Sequence, residues 1–121
     1  MFREILHGVL TRTEGCLGVL IMGTEGIAVE EVWQAVAKRT SFDVALAEYT
    51  SLLRTAQRIN SELRLEKLQE MTFSGAGEIF VLRVVNRDYF LAMIISRDGN
   101  FGRGRFELHR AELLLFKELA I

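Results

Sequence analysis

Cys16 to Trp33 reads CLGVLIMGTEGIAVEEVW, two apolar runs folded about Gly23-Thr24-Glu25-Gly26 just ahead of a long helical segment. Paired runs around a Gly-bracketed turn are the pattern of a β-hairpin. The first run, Leu17 to Met22, is apolar at consecutive positions, so both of its faces require cover; an antiparallel strand with one wet face would alternate instead. Such a strand belongs in the middle of a sheet with helices above and below. No catalytic group sits in the hairpin, which turns the expectation toward binding and away from chemistry.

Outward from the hairpin, Phe2, Ile5, Leu6, Val9 and Leu10 recur at three- and four-residue steps and predict a short amphipathic helix over 2–12, ending before Gly15. Residues 34–42 form a polar-leaning connection, in which Thr40 and Asp43 have the spacing of a capping box. The long helix is predicted from about Ser41 to Leu65, with Ala45, Leu46, Tyr49, Leu52, Leu53, Ala56, Ile59 and Leu63 on the side packed against the sheet. Three strands follow, Leu68 to Ser74, Glu78 to Val85 and Tyr89 to Ser96, joined by turns at Gly75-Ala76-Gly77 and Asn86-Arg87-Asp88. A last helix is predicted over 101–119. The first and fifth strands are apolar on both faces and should be central, whereas Glu30 and Glu31 in the second strand and Gln69, Glu70 and Thr72 in the third are the polar residues that protect edges. Hairpin adjacency then gives the order 2-1-5-4-3. The fold class is α+β: a five-stranded antiparallel sheet with the long helix on one face and the first and last helices on the other.

The chain of 121 residues is read as one domain, long enough to bury about two-thirds of its unfolded surface. Half its residues are hydrophobic, 26% are charged and the formal net charge is -1, a balance that argues against disorder and against a nucleic-acid partner. The longest apolar runs fall far short of the roughly 20 residues of a membrane helix, so no membrane insertion is expected. Charged residues interrupt the N-terminal segment where a signal peptide would need an apolar core, and the lone Cys16 lies in an apolar strand; both fit a cytoplasmic protein.

Candidate sites are few. His7 and His109 stand far apart with no ligand spacing around them, and no metal or cofactor is expected. Ser74-Gly75-Ala76-Gly77 has no helix after it and reads as a hairpin turn, Gly102-Arg103-Gly104-Arg105 as the start of the last helix, and Trp33 with Phe42 as the closure of the sandwich edge. The carboxylates Glu25, Glu30 and Glu31 have no acidic partner predicted opposite, so no catalytic residues are assigned and the chain is not read as an enzyme. One surface stands apart. Opposite its core stripe, the long helix is predicted to carry Ala47, Thr50, Ser51, Arg54, Arg58 and Ser61, where solvent-facing helices usually carry Lys and Glu. Small residues permit close approach of another backbone and arginines suit recognition. Self-association, partner docking and a plain solvent face are all open at this point.

With Gly15-Cys16-Leu17-Gly18-Val19-Leu20 and Glu25-Gly26 in the hairpin, and Asn100-Phe101-Gly102, Arg105, Leu108 and Ala111 at the last helix, the chain resembles the Roadblock/dynein light-chain superfamily. It is most similar to the bacterial and archaeal branch typified by MglB. The resemblance covers nearly the whole chain. It implies a profilin- or longin-like three-layer sandwich that forms a homodimer edge to edge through Leu68–Ser74, including Leu68, Glu70, Met71, Thr72 and Phe73, with Ala47, Thr50 and Ser51 where the long helices meet. It further implies a cytoplasmic regulator or scaffold that binds a small Ras-like GTPase through Ser51, Arg54, Arg58 and Ser61 and promotes its GTP hydrolysis; an adaptor without effect on hydrolysis is the alternative. A PAS-like small-molecule sensor is disfavoured by the single long helix after the second strand. Gly104 stands where the family commonly has a bulky apolar residue, implying a looser start to the last helix.

Overall fold

The strand begun at Cys16 is covered on both sides, as its composition demands. The structure, a computed structural model, describes residues 1–35 and 38–119. Its elements run α1 (Phe2–Arg12), β1 (Cys16–Gly23), β2 (Ala28–Trp33), α2 (Arg39–Glu62), β3 (Glu70–Ser74), β4 (Glu78–Val84), β5 (Tyr89–Ser96) and α3 (Phe101–Leu119). The sheet is antiparallel in the order β2-β1-β5-β4-β3, as the edge and centre composition predicts.

Alternation along β1 divides two cores. Val19 and Ile21 face α1 and α3 and pack with Leu6, Val9, Leu108 and Leu115, whereas Leu20 and Met22 face α2 and pack with Phe42, Leu46 and Leu53. Burying an aliphatic side chain of this size stabilises by about 1.5–3 kcal/mol, and β1 and β5 draw on both cores. Gly18 is required where it stands, because a Cβ there would come within 2.5 Å of the Trp33 ring paired across the hairpin. The indole lies parallel to Phe42, with ring centroids 6.2 Å apart, and Phe42 meets Phe80 edge-on at 5.8 Å. Trp33 and Phe42 therefore close the sandwich edge.

Four local expectations are corrected. The capping box does not form: α2 starts at Arg39 after Lys38, with no side-chain cap, and Thr40 lies inside the helix. Tertiary packing of Phe42 overrides the local cap, its N–H donating to the Lys38 carbonyl at 3.0 Å. The connection read over 34–42 is correspondingly shorter, and residues 36 and 37 lie outside the described residues. Second, α2 stops at Glu62, not Leu65. Arg64 adopts φ 57, and Leu65 N–H donates to the Asn60 carbonyl (2.8 Å) while Arg64 N–H donates to that of Ser61 (3.2 Å), the two bonds of a Schellman termination. Third, Leu68 and Gln69 precede β3 and do not belong to it. Fourth, Gly104 is buried and tightly packed: a Cβ would lie 2.8 Å from Met93 Cε and 3.2 Å from Thr13 Cγ2, so the small residue admits close contact between α3 and β5.

The stripe of α2 against the sheet is also rotated from the predicted one. Phe42, Leu46, Thr50 and Leu53 are the buried positions. Thr50 therefore faces the core and not the outside, its hydroxyl donating to the Leu46 carbonyl at 2.7 Å. Ala45, Tyr49, Leu52, Ala56, Ile59 and Leu63 form a second stripe about 90° round the helix. Of these, Leu52, Ile59 and Leu63 are 50%, 43% and 66% exposed.

Candidate functional site

The second stripe acquires meaning from its neighbour. Tyr49 stacks on Phe73 of β3, ring centroids 4.0 Å apart and planes within 5°, and meets Phe80 edge-on at 5.1 Å. That contact places the stripe on the side of α2 that overhangs the β3 edge. From Tyr49 it continues through Leu52, Ala56, Ile59 and Leu63 in alternating three- and four-residue steps, the spacing of a helix-pairing seam. Beyond Leu53 no residue of α2 is buried, although the apolar periodicity persists.

β3 is an outer strand of the sheet, so one side of it presents backbone N–H and C=O groups without a strand partner among the described residues. Met71 and Phe73 are half-buried under α2, Leu68 packs beside them, and Thr72 is exposed on the opposite face. Glu70 is drawn away from the edge. Its Oε1 lies 3.3 Å from Arg83 Nη1 and its Oε2 2.7 Å from Arg105 Nη2, while Arg83 Nε reaches Glu112 at 2.6 Å. Burial alone would lower the Arg83 guanidinium; the carboxylates of Glu112 and Glu70 outweigh it and hold the group above its usual value. The network ties the start of β3 to β4 and α3.

The other predicted face is elsewhere. Ala47, Ser51, Arg54, Arg58 and Ser61 are exposed, but they lie roughly 120–180° round α2 from the Tyr49–Leu63 stripe. The structure thus separates Ala47 and Ser51 from Leu68–Ser74, and with Thr50 buried, the small-residue face and the strand edge are two surfaces. Arg58 pairs with Glu62 at 3.1 Å; Arg54 has no ion pair among the described residues. The exposed seam at Leu52, Ile59 and Leu63 was missed because it was merged with the sheet-facing stripe. Its own three-four alternation is the signal that separates them.

Reactive groups are not gathered anywhere on these surfaces. Among the described residues no three His, Cys, Asp or Glu side chains are placed to hold a metal ion, and His7 and His109 are exposed on different helices. Burial pushes the Cys16 thiol up to about 12, outweighing a smaller lowering effect of the Gly18 backbone, so it is a core group and not a nucleophile near neutral pH. No helix among the described residues is long and apolar enough to cross a membrane.

No protein-family model matches the chain, and no curated protein matches it. Solved structures do. MglC from Myxococcus xanthus is 30% identical, with 98% of each chain covered and a TM-score of 0.69. A Roadblock/LC7 domain from Streptomyces avermitilis, 10% identical, also matches over 98% of each chain, with a TM-score of 0.83. An MglB solved in a tetrameric arrangement is 17% identical over 96% of this chain and 85% of its own, with a TM-score of 0.84. Sequence likeness is higher to MglC and backbone likeness to the other two, and all three match the fold described above over nearly the whole of this chain.

Proposed function

From the premise that this chain belongs to the Roadblock superfamily, on its MglB-like branch, we propose that it acts as a homodimeric regulator of a small Ras-like GTPase. The superfamily fold is that of a regulatory or adaptor domain. The observation that carries the reading is α2 itself: half of it overhangs the sheet with an apolar seam uncovered beside an unpaired strand edge. Pairing β3 antiparallel with its symmetry mate supplies the missing backbone partners, and the same two-fold brings Leu52, Ala56, Ile59 and Leu63 against their copies. The assembly of the MglB relative supports self-association.

Dimerisation leaves the opposite side of each α2 free, and that side presents Ser51, Arg54, Arg58 and Ser61. Arginines on an exposed helix suit hydrogen-bonded recognition of a partner surface, and they are the proposed GTPase contacts. Nucleotide chemistry then belongs to the GTPase. The chain acts by holding its partner in the hydrolysis-competent conformation, a population shift that requires differential affinity for that state.

Single-turnover GTP hydrolysis by a Ras-like GTPase from the same genome, with and without this protein, together with a binding titration, tests the reading. Binding with acceleration is the expected result. Binding without acceleration makes the chain an adaptor; absence of binding to every such GTPase overturns the proposed partner and leaves the fold untouched.

A further inference from the structure

The outer surface of α3, on the far side of the sheet from α2, has no part in the function proposed above, and its composition is one-sided. Phe106, Leu113 and Leu114 are 57%, 59% and 52% exposed. Arg103, Arg110 and Lys117 follow one another at seven-residue intervals along the same line. At about 100° per residue these six lie within roughly 80° of Phe106, along about 21 Å of helix. Measured from Phe106 at the middle of the ridge, the carboxylates of α3 are at least about 100° round the helix, and the exposed Glu118 stands just beyond Leu114 at its flank. Glu107 is turned into the protein with its side chain fully buried, and Glu112 is half-buried and paired with Arg83.

Glu107 also sharpens the charge. Arg12 Nε lies 2.9 Å from it, Arg103 Nη2 2.7 Å and Arg110 Nη1 3.9 Å, so three partly exposed guanidinium groups share one carboxylate. Two positive charges remain in excess there, and Lys117 adds another. We propose that this ridge is a docking surface for an anionic lipid leaflet, on which α3 lies in the plane of the headgroups without spanning the bilayer.

Two alternatives fit less well. A second copy of the ridge would set cation against cation, since antiparallel packing about its midpoint brings Arg110 to Arg110 and Arg103 toward Lys117. An acidic helix of another protein would seek a narrow apolar seam, but an arginine stands three residues before each of Phe106 and Leu113, and Leu114 widens the apolar surface to the flank. A broad convex arc of Phe, Leu, Arg and Lys is what an interfacial helix presents to headgroups and the upper acyl chains. In the dimer proposed above, an antiparallel β3 junction has its two-fold perpendicular to the sheet, so both ridges lie on one face and both α2 helices on the other. That pairing rests on the proposed dimer; the single ridge does not.

Sedimentation with phosphatidylcholine vesicles, with and without phosphatidylserine, tests the proposal on the full chain. The protein is expected to sediment with the mixed vesicles only and to be released by salt. Lys117→Glu should weaken binding roughly fivefold or more, and Leu113→Ser roughly tenfold; both sites are exposed, and circular dichroism confirms that the variants fold. Indifference of the mixed vesicles to both variants, or no sedimentation with either vesicle, overturns the proposal. So does lipid-free association beyond the dimer that Leu113→Ser abolishes, or binding of a synthetic acidic amphipathic peptide in place of vesicles. Ile59→Glu separates the two readings: weaker vesicle binding supports paired ridges in a dimer, whereas unchanged binding that still needs Leu113 overturns the pairing and leaves the single ridge standing.

Discussion

The two halves of α2 carry the same kind of sequence and meet different fates. From Arg39 to Leu53 the helix lies on the sheet and buries Phe42, Leu46, Thr50 and Leu53; from Arg54 to Glu62 it buries nothing, although Ala56 and Ile59, with Leu63 just beyond, keep the apolar rhythm. Helical periodicity records that a face is covered, not by what. The first half is covered by this chain, and the uncovered seam of the second is the strongest physical reason to expect another.

The contrast is broken most directly by truncation in the first half. Leu53→Ala removes a 1% exposed side chain between helix and sheet and should cost about 2–5 kcal/mol in chemical denaturation. Its sequence neighbour Leu52→Ala should cost less than about 0.5 kcal/mol in dilute protein, with a larger effect only as concentration rises. Equal costs at both positions, independent of concentration, would remove the distinction between core and seam.

A charge in the second half sharpens it. Ile59→Glu places a carboxylate in the proposed seam, where desolvation should weaken self-association by about 100-fold or more while leaving the monomer folded. Sedimentation equilibrium reads the change in dissociation constant. A monomeric wild type, or a dimer indifferent to the substitution, would move the interface elsewhere. Further round the helix, Arg54→Glu reverses a charge that no described carboxylate balances, and should weaken GTPase binding by about tenfold with the dimer intact. An unchanged affinity by titration would clear that face of the role.

How much of this was legible follows the same line. The doubly apolar runs at Leu17–Met22 and Tyr89–Ile95 and the polar edges sufficed for the strand order, because a sheet buried on both faces leaves alternation nowhere to appear. The arginines at 54 and 58 were placed on an exposed face and are found there. Thr50 was misplaced because a threonine can satisfy its hydroxyl on the preceding turn and pass for apolar, which no polarity pattern reveals. The burial of Glu107 was invisible for a different reason: Arg103 and Arg110 pair with it along α3, but Arg12, 95 residues away, reaches it only because α1 packs against α3.

The smallest effect lies at the point where the helix leaves its cover altogether. Arg64 ends α2 in the left-handed region at φ 57, a conformation that costs a residue with a Cβ about 1–2 kcal/mol and glycine very little. The side chain is exposed and the termination is made by backbone groups, so Arg64→Gly keeps both Schellman bonds. The glycine gains there but also raises the entropy of the unfolded chain, leaving a net stabilisation of about 0.5–1 kcal/mol by thermal or denaturant unfolding. Destabilisation instead would mean that the Arg64 side chain is engaged in solution, and the uncovered end of α2, next to the seam, is where a second subunit would engage it.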